Sequence, residues 1–259
     1  MTAELAGRLA LVTGAARGIG AAVVTALAAR GARVLATDLD GDAVGELTAE
    51  RVTARALDVT DGAAVEEAID EAERTLGPLD IAVNVAGVLR GTRVVDLGDA
   101  DWAASFAVNT TGVLHVSRGA ARRMAERGTG SIVTVASNAA GVPRAGMAAY
   151  AASKAAAVML TKCLGLEVAA SGVRCNTVCP GSTLTDMQRA MWAASGLDDA
   201  TAARRVVEGD PAAHRTGIPL GRIADPADVA EAVAFLASDR ARHITLHDLY
   251  VDGGATLRA

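Results

Sequence analysis

The run Leu9-Ala10-Leu11-Val12-Thr13-Gly14-Ala15-Ala16-Arg17-Gly18-Ile19-Gly20 decides how the rest of the chain is read. Four apolar residues in a row suit a strand buried on both faces. The glycines at 14, 18 and 20 follow at once, and a helical pattern then runs over about Ile19–Arg30. Glycine removes Cβ where a backbone turns sharply and a ligand comes close. A helix start beyond such a turn offers free N–H groups to a pyrophosphate. A βα turn without a ligand is the plain alternative. The strand before and the helix after favour a dinucleotide turn, although the spacing is looser than GxGxxG.

Outward from this turn the theme repeats. Strands are expected at Arg33–Thr37, Arg51–Leu57, Leu79–Asn84, Ser131–Ala136, Arg174–Val178 and Asp248–Val251. Helices are expected over Asp61–Leu76, Asp101–Met124 with Gly112 inside it, Ala151–Ser171 and Asp228–Ala237. Alternation of this kind implies one α/β domain over residues 1–259, a Rossmann-like doubly wound parallel sheet flanked by helices. The stretch from Asp186 to Pro219 is less periodic and is expected to leave the sheet and cover a substrate.

The composition suits a globular enzyme. Of 259 residues 51% are apolar, only six are aromatic, and the net charge is −5. A mildly acidic balance offers nothing to nucleic acid or an anionic membrane. The apolar runs are broken well before a membrane span, and no leader pattern opens the chain, so a soluble cytoplasmic protein is expected. Cys175 and Cys179 lack further ligands for zinc and are expected as small buried hydrophobes, with no metal required.

At the nucleotide end, Asp38 closes the second strand, where an acid can accept from both adenosine ribose hydroxyls and repel the extra phosphate of NADP. NAD is therefore expected, although Arg17 lies in the glycine turn. Asp58 and Val59 are placed at the third strand's end, to meet the adenine edge and flank its ring. Asn84, Ala86 and Gly87 close the fourth strand and suit close passage of a cofactor ribose. Tight turns without a ligand are the alternative for both groups.

Tyr150 and Lys154 are four residues apart at a helix start, on one face. A free phenol titrates near pH about 10, and a nearby ammonium favours its phenolate. Tyr150 is thus a candidate acid–base group, and Lys154 a second hold on a cofactor ribose. Ser137 can position the reacting oxygen. Asn109, inside a helix, can hold a water behind Lys154. Capping, core hydrogen bonding and surface charge are the ordinary roles for the same residues.

Together these segments resemble the short-chain dehydrogenase/reductase family. The match includes Thr13–Gly20, Asn84-Val85-Ala86-Gly87, Asn109, Ser137, Tyr150, Lys154, Pro180-Gly181, Thr185 and Val251-Asp252-Gly253-Gly254. Val85 replaces an amide that the family often carries. The resemblance implies hydride transfer, with Gly14, Arg17, Gly18, Ile19, Gly20, Asp38, Asp58, Val59, Asn84, Ala86, Gly87, Tyr150, Lys154, Pro180, Gly181, Thr183 and Thr185 at the cofactor.

Gly87–Arg90, Pro143–Met147, Pro180–Arg189 and Ala241–Leu246 further resemble the 2,3-dihydro-2,3-dihydroxybenzoate dehydrogenase group, the aromatising enzymes of catecholate siderophore pathways. That likeness implies NAD, a homotetramer and a small anionic cyclohexadiene carboxylate. Arg90, Arg144 and Arg189 are the candidate carboxylate partners, since a guanidinium grips that group with two prongs. Ser137, Met147, Tyr150, Met187 and Gln188 are the other candidate substrate contacts, and Met191 and Trp192 are either cover or core. An amino-substituted diene acid, giving 3-hydroxyanthranilate, is the alternative substrate. A general ketone or 3-oxoacyl reductase and a non-catalytic dinucleotide sensor remain as other readings.

Overall fold

A computed structural model describes residues 4–194 and 196–258. In chain order it holds β1 (Leu9–Thr13), α1 (Gly18–Ala29), β2 (Arg33–Asp38), a short α2 (Gly41–Gly45), β3 (Val52–Ala56), α3 (Gly62–Leu76) and β4 (Leu79–Asn84). Then come α4 (Asp99–Phe106), α5 (Val113–Arg127), β5 (Gly130–Val135), α6 (Ala148–Val168), β6 (Val173–Pro180), α7 (Asp186–Ala194), α8 (Asp199–Glu208), α9 (Pro226–Ala237) and β7 (Asp248–Val251). Seven parallel strands form one sheet in the order β3-β2-β1-β4-β5-β6-β7. The order reverses between β1 and β4, which opens a crevice at the strands' carboxyl ends. The expected doubly wound fold is present as a single domain.

Side chains alternate across the central strands, so each strand feeds two cores. Ala10 and Val12 join Val34, Val133, Val23, Leu27 and Leu236 on one face, beneath α1 and α9. Leu9 and Leu11 join Ile132, Ile69, Val116 and Met124 on the other, beneath α3 and α5. All of β1 is buried, as a strand covered on both faces must be. Asp61 caps α3 by accepting from the Ala63 and Ala64 N–H groups. Gly128, left-handed at φ 75°, ends α5. Cys175 and Cys179 are buried free thiols, whereas Cys163 is exposed.

Three departures from the sequence reading bear on the site. The expected helix Asp101–Met124 is two α-helices joined by a wider π-helical turn, Ala107–Gly112. The extra residue in that turn rotates the helix face, and Asn109 and Gly112 end up buried. Helix α6 begins at Ala148, so Tyr150 sits in its first turn instead of ahead of it. The third is in residues 186–219, where two helices, α7 and α8, stand around a small core of Trp192, Ala202, Ile218 and Ile223. Both helices are short, which leaves little periodicity to read. Ser195, within this segment, lies outside the described residues, as do Met1–Ala3 and Ala259. No helix among the described residues is long and apolar enough to cross a membrane.

Candidate active site

The crevice between β1 and β4 contains a cavity of about 350 Å³. Gly14, Arg17, Gly18, Ile19, Gly20, Asp38, Asp58, Val59, Ala86, Gly87 and Thr185 line it. The glycines are required by geometry. A Cβ on Gly20 would lie 1.9 Å from the Gly14 carbonyl oxygen, and one on Gly14 (φ 64°) would lie 2.6 Å from the Ala86 backbone. Arg17 begins α1 without any side-chain cap, so the first N–H groups of the helix face the crevice free of side-chain acceptors. One Asp38 oxygen accepts from the Ala16 N–H (3.0 Å) and the other from the Asp40 N–H (3.1 Å), which aims the carboxylate. Arg17 is engaged by Asp40 at 3.0 Å. An uncapped helix start, a glycine cradle and an oriented acid together fit the phosphates and ribose of a dinucleotide.

Asn84 sits otherwise than expected, whereas Asp58 and Val59 line the crevice from just past the third strand. Asn84 does not face the crevice; its amide donates to the hydroxyls of Ser117 (2.9 Å) and Thr134 (3.2 Å), tying β4 to α5 and β5. Asp58 and Val59 lie beyond β3, which ends at Ala56. The Asp58 carboxylate is folded onto the N–H and hydroxyl of Thr60, both at 2.8 Å. Val59 is buried and remains a wall of the cavity.

A second cavity, about 140 Å³, adjoins the first through Ile19, Gly87 and Thr185. It is lined by Ser137, Tyr150, Lys154, Pro180, Gly181, Thr183, Arg144, Met147, Met187, Gln188 and Met191. β5 delivers Ser137 at its end, and the first two turns of α6 deliver Tyr150 and Lys154. Ser137 stands by the Tyr150 phenol and draws its proton affinity down. The Lys154 ammonium is buried, donates to the Val135 carbonyl (2.9 Å) and stands 5.9 Å from the Tyr150 ring centre.

Burial pushes the Tyr150 phenol above its ordinary value; Ser137 opposes this and the Cys179 thiol adds to it. Burial also lowers Lys154, to about 8. The expectation that the nearby ammonium leaves the phenol below its ordinary value is therefore corrected: burial sets the direction, and the phenol is raised.

Asn109 is also reassigned. Its amide accepts from the Val88 N–H (2.8 Å) and donates to the Val88 carbonyl and the Ser153 hydroxyl, both at 2.9 Å. It clamps the loop after β4 to α6. A Cβ on Gly87 would lie 3.2 Å from the Asn109 oxygen and 3.3 Å from the Lys154 nitrogen, so the two side chains converge on that glycine.

Of the three candidate carboxylate partners only Arg144 reaches the cavity. Arg90 is exposed and faces Asp101 at 3.8 Å. Arg189 is exposed on α7 and pairs with Asp199. Both are corrected to surface ion pairs. Trp192 belongs to the core of the covering segment. Arg215 and Asn138 line the second cavity and were not singled out in the sequence, where neither stands in a recognisable motif.

A family model described as enoyl-(acyl carrier protein) reductase matches residues 14–256. This chain belongs to the short-chain dehydrogenase/reductase family. Members typically bind NAD or NADP. The 2,3-dihydro-2,3-dihydroxybenzoate dehydrogenase of Bacillus subtilis is 53% identical, covering 97% of each chain. The 3-oxoacyl-(acyl-carrier-protein) reductase of Escherichia coli is 36% identical, covering 96% of this chain and 97% of its own. A solved structure named as a gluconate dehydrogenase of Agrobacterium tumefaciens superposes with a TM-score of 0.89 at 31% identity, covering 98% of each chain. These relatives share one fold and carry differing substrate names, so the site must argue the substrate.

Proposed function

We propose that the chain is an NAD-dependent dehydrogenase that oxidises 2,3-dihydro-2,3-dihydroxybenzoate at its C3 hydroxyl, giving 2,3-dihydroxybenzoate after aromatisation. One observation carries the reading: Ser137, Tyr150, Lys154 and the guanidinium of Arg144 line a single small cavity that opens onto the dinucleotide crevice. The likeness to the Bacillus subtilis enzyme supports it. Asp38 supports NAD over NADP, since its fixed carboxylate suits ribose hydroxyls and repels a phosphate.

Arg144 anchors the ring carboxylate. Ser137 donates to the C3 oxygen and fixes it against Tyr150. The Tyr150 phenolate takes the hydroxyl proton as the carbonyl forms at C3. Bound NAD supplies the acceptor for the hydride and, in its oxidised form, a positive charge that favours the phenolate. Lys154 adds a second positive charge from its anchor on Val135. The hydroxy-ketone then enolises, and aromaticity draws the sequence toward oxidation. The proposed assembly is a homotetramer. The exposed apolar side chains Met159 and Leu166 on α6, with Val94, Val95 and Trp102 near α4, support burial against other copies.

The test is an assay of the purified protein with NAD and either the diene diol acid or its amino counterpart. The diol acid is expected to give reduced nicotinamide and 2,3-dihydroxybenzoate by mass. Turnover confined to the amino acid, or to 3-oxoacyl thioesters with NADPH, contradicts it.

A further inference from the structure

Two guanidinium groups reach the cavity beside Tyr150, and among the described residues neither is in salt-bridge contact with a carboxylate. Arg144 and Arg215 both line this cavity and a smaller recess behind it. Both are half-buried. Among the described residues neither makes an ion pair, and the only side-chain hydrogen bond of either is a long one, 3.5 Å, from Arg144 to the side-chain amide oxygen of Asn138. Charges taken out of water are ordinarily paired.

The acids nearby are committed elsewhere. Asp210 is bound by Arg205 at 3.0 Å and caps the Ala212 and Ala213 N–H groups. Asp252 accepts from Gly254, from the N–H and hydroxyl of Thr256, and from the Asn138 amide. Burial first, and then Arg215, lower the proton affinity of Arg144, with Asp252 opposing; burial also lowers that of Arg215, with Asp210 opposing and Arg205 adding to it.

Arg215 is held on a built loop. Asp210 and Arg215 exchange two backbone hydrogen bonds of 2.9 Å. Gly209 (φ 89°) and Gly217 (φ 81°) flank them in a crossing so tight that a Cβ on either would lie within 2.6 Å of the facing backbone. Thr216 ties the loop to the Ala255 carbonyl at 2.8 Å. The fold thus presents one arginine from the β5–α6 loop and another from the covering segment.

We infer that Arg144 and Arg215 form a two-armed carboxylate clamp, which restricts the substrates of this site to small acids. A carboxylate offers lone pairs to both guanidiniums and cancels their mutual repulsion. The inference rests on the reading of this cavity as the substrate site, and it adds a residue supplied by the cover.

The test is titration of the NAD-saturated protein with 2,3-dihydroxybenzoate and, separately, with catechol, the same ring without the carboxylate. The parent is expected to bind the acid at least about 10-fold more tightly. Arg215→Gln is expected to weaken the acid by about 10- to 100-fold and leave catechol nearly unchanged. Arg215→Lys is expected to recover part of the loss. NAD affinity, unaltered in every variant, reports an intact fold. An Arg215→Gln protein that binds the acid like the parent overturns the clamp, and so does an equal loss for both ligands. If the diene diol acid is not oxidised while the acid-specific loss persists, the proposed reaction fails and the clamp stands. If the diol acid is oxidised without that loss, the clamp alone fails.

Discussion

The Tyr150 side chain lines the second cavity with Ser137, and its chemistry follows from its partial burial there. Tyr150→Phe is expected to lower kcat by about 10²- to 10⁴-fold with little change in NAD affinity, because only the proton acceptor is removed. Burial raises the phenol, so the base form grows as pH rises and kcat/KM for oxidation climbs with it. A positive charge 5.9 Å from the ring centre favours the phenolate, and Lys154, with its own value lowered to about 8, begins to lose that charge as pH rises. The ascending limb therefore belongs to the pair. In Lys154→Met it is expected to move to higher pH, read from rate profiles of the two proteins; an unmoved limb denies the coupling. At the crevice, Asp38→Asn is expected to narrow the preference for NAD over NADP by about tenfold or more, measured as the ratio of kcat/KM values. Asp40 still occupies Arg17 in that variant, so a complete reversal is not expected.

Among the elements, the turn Ala107–Gly112 matters most for the site. It brings Asn109 against Val88 and Ser153, and it lets Gly112 pass Val59 so closely that a Cβ would lie 2.6 Å from the valine Cγ2. Gly112→Ala is expected to destabilise by about 1–3 kcal/mol, as overpacking does, measured by urea unfolding. A variant as stable as the parent contradicts this packing. The β1–turn–α1 unit was legible because a strand buried on both faces leaves an unbroken apolar run and because backbone contact at 1.9 Å admits only glycine. The π-helical turn was not legible. It changes which face Asn109 occupies without changing the residues that favour a helix. Asn84 misled for a related reason: an amide at a strand end looks the same whether it faces a crevice or binds Ser117 and Thr134. The arginines show the same limit. Nothing local to Arg189 or Arg90 reveals the acids that neutralise them, and nothing local to Arg215 reveals that its loop reaches back to the β5–α6 side of the cavity.

At the scale of the whole molecule, the sheet's reversal between β1 and β4 sets the crevice, and α7 with Arg215 supplies one wall of the cavity that holds Tyr150. The exposed apolar side chains of α6 and the α4 region are expected to be buried between copies, so the native mass should be four times that of one chain; a monomer at micromolar concentration contradicts that assembly. The account depends above all on a phenol that accepts the proton of a ring hydroxyl beside bound NAD. Its most direct test follows the purified protein and its Tyr150→Phe variant with NAD and 2,3-dihydro-2,3-dihydroxybenzoate, measuring reduced nicotinamide and 2,3-dihydroxybenzoate together. The parent should form the two in equal amounts and the variant nearly none. No coupled formation by the parent, or equal rates from both proteins, would contradict it.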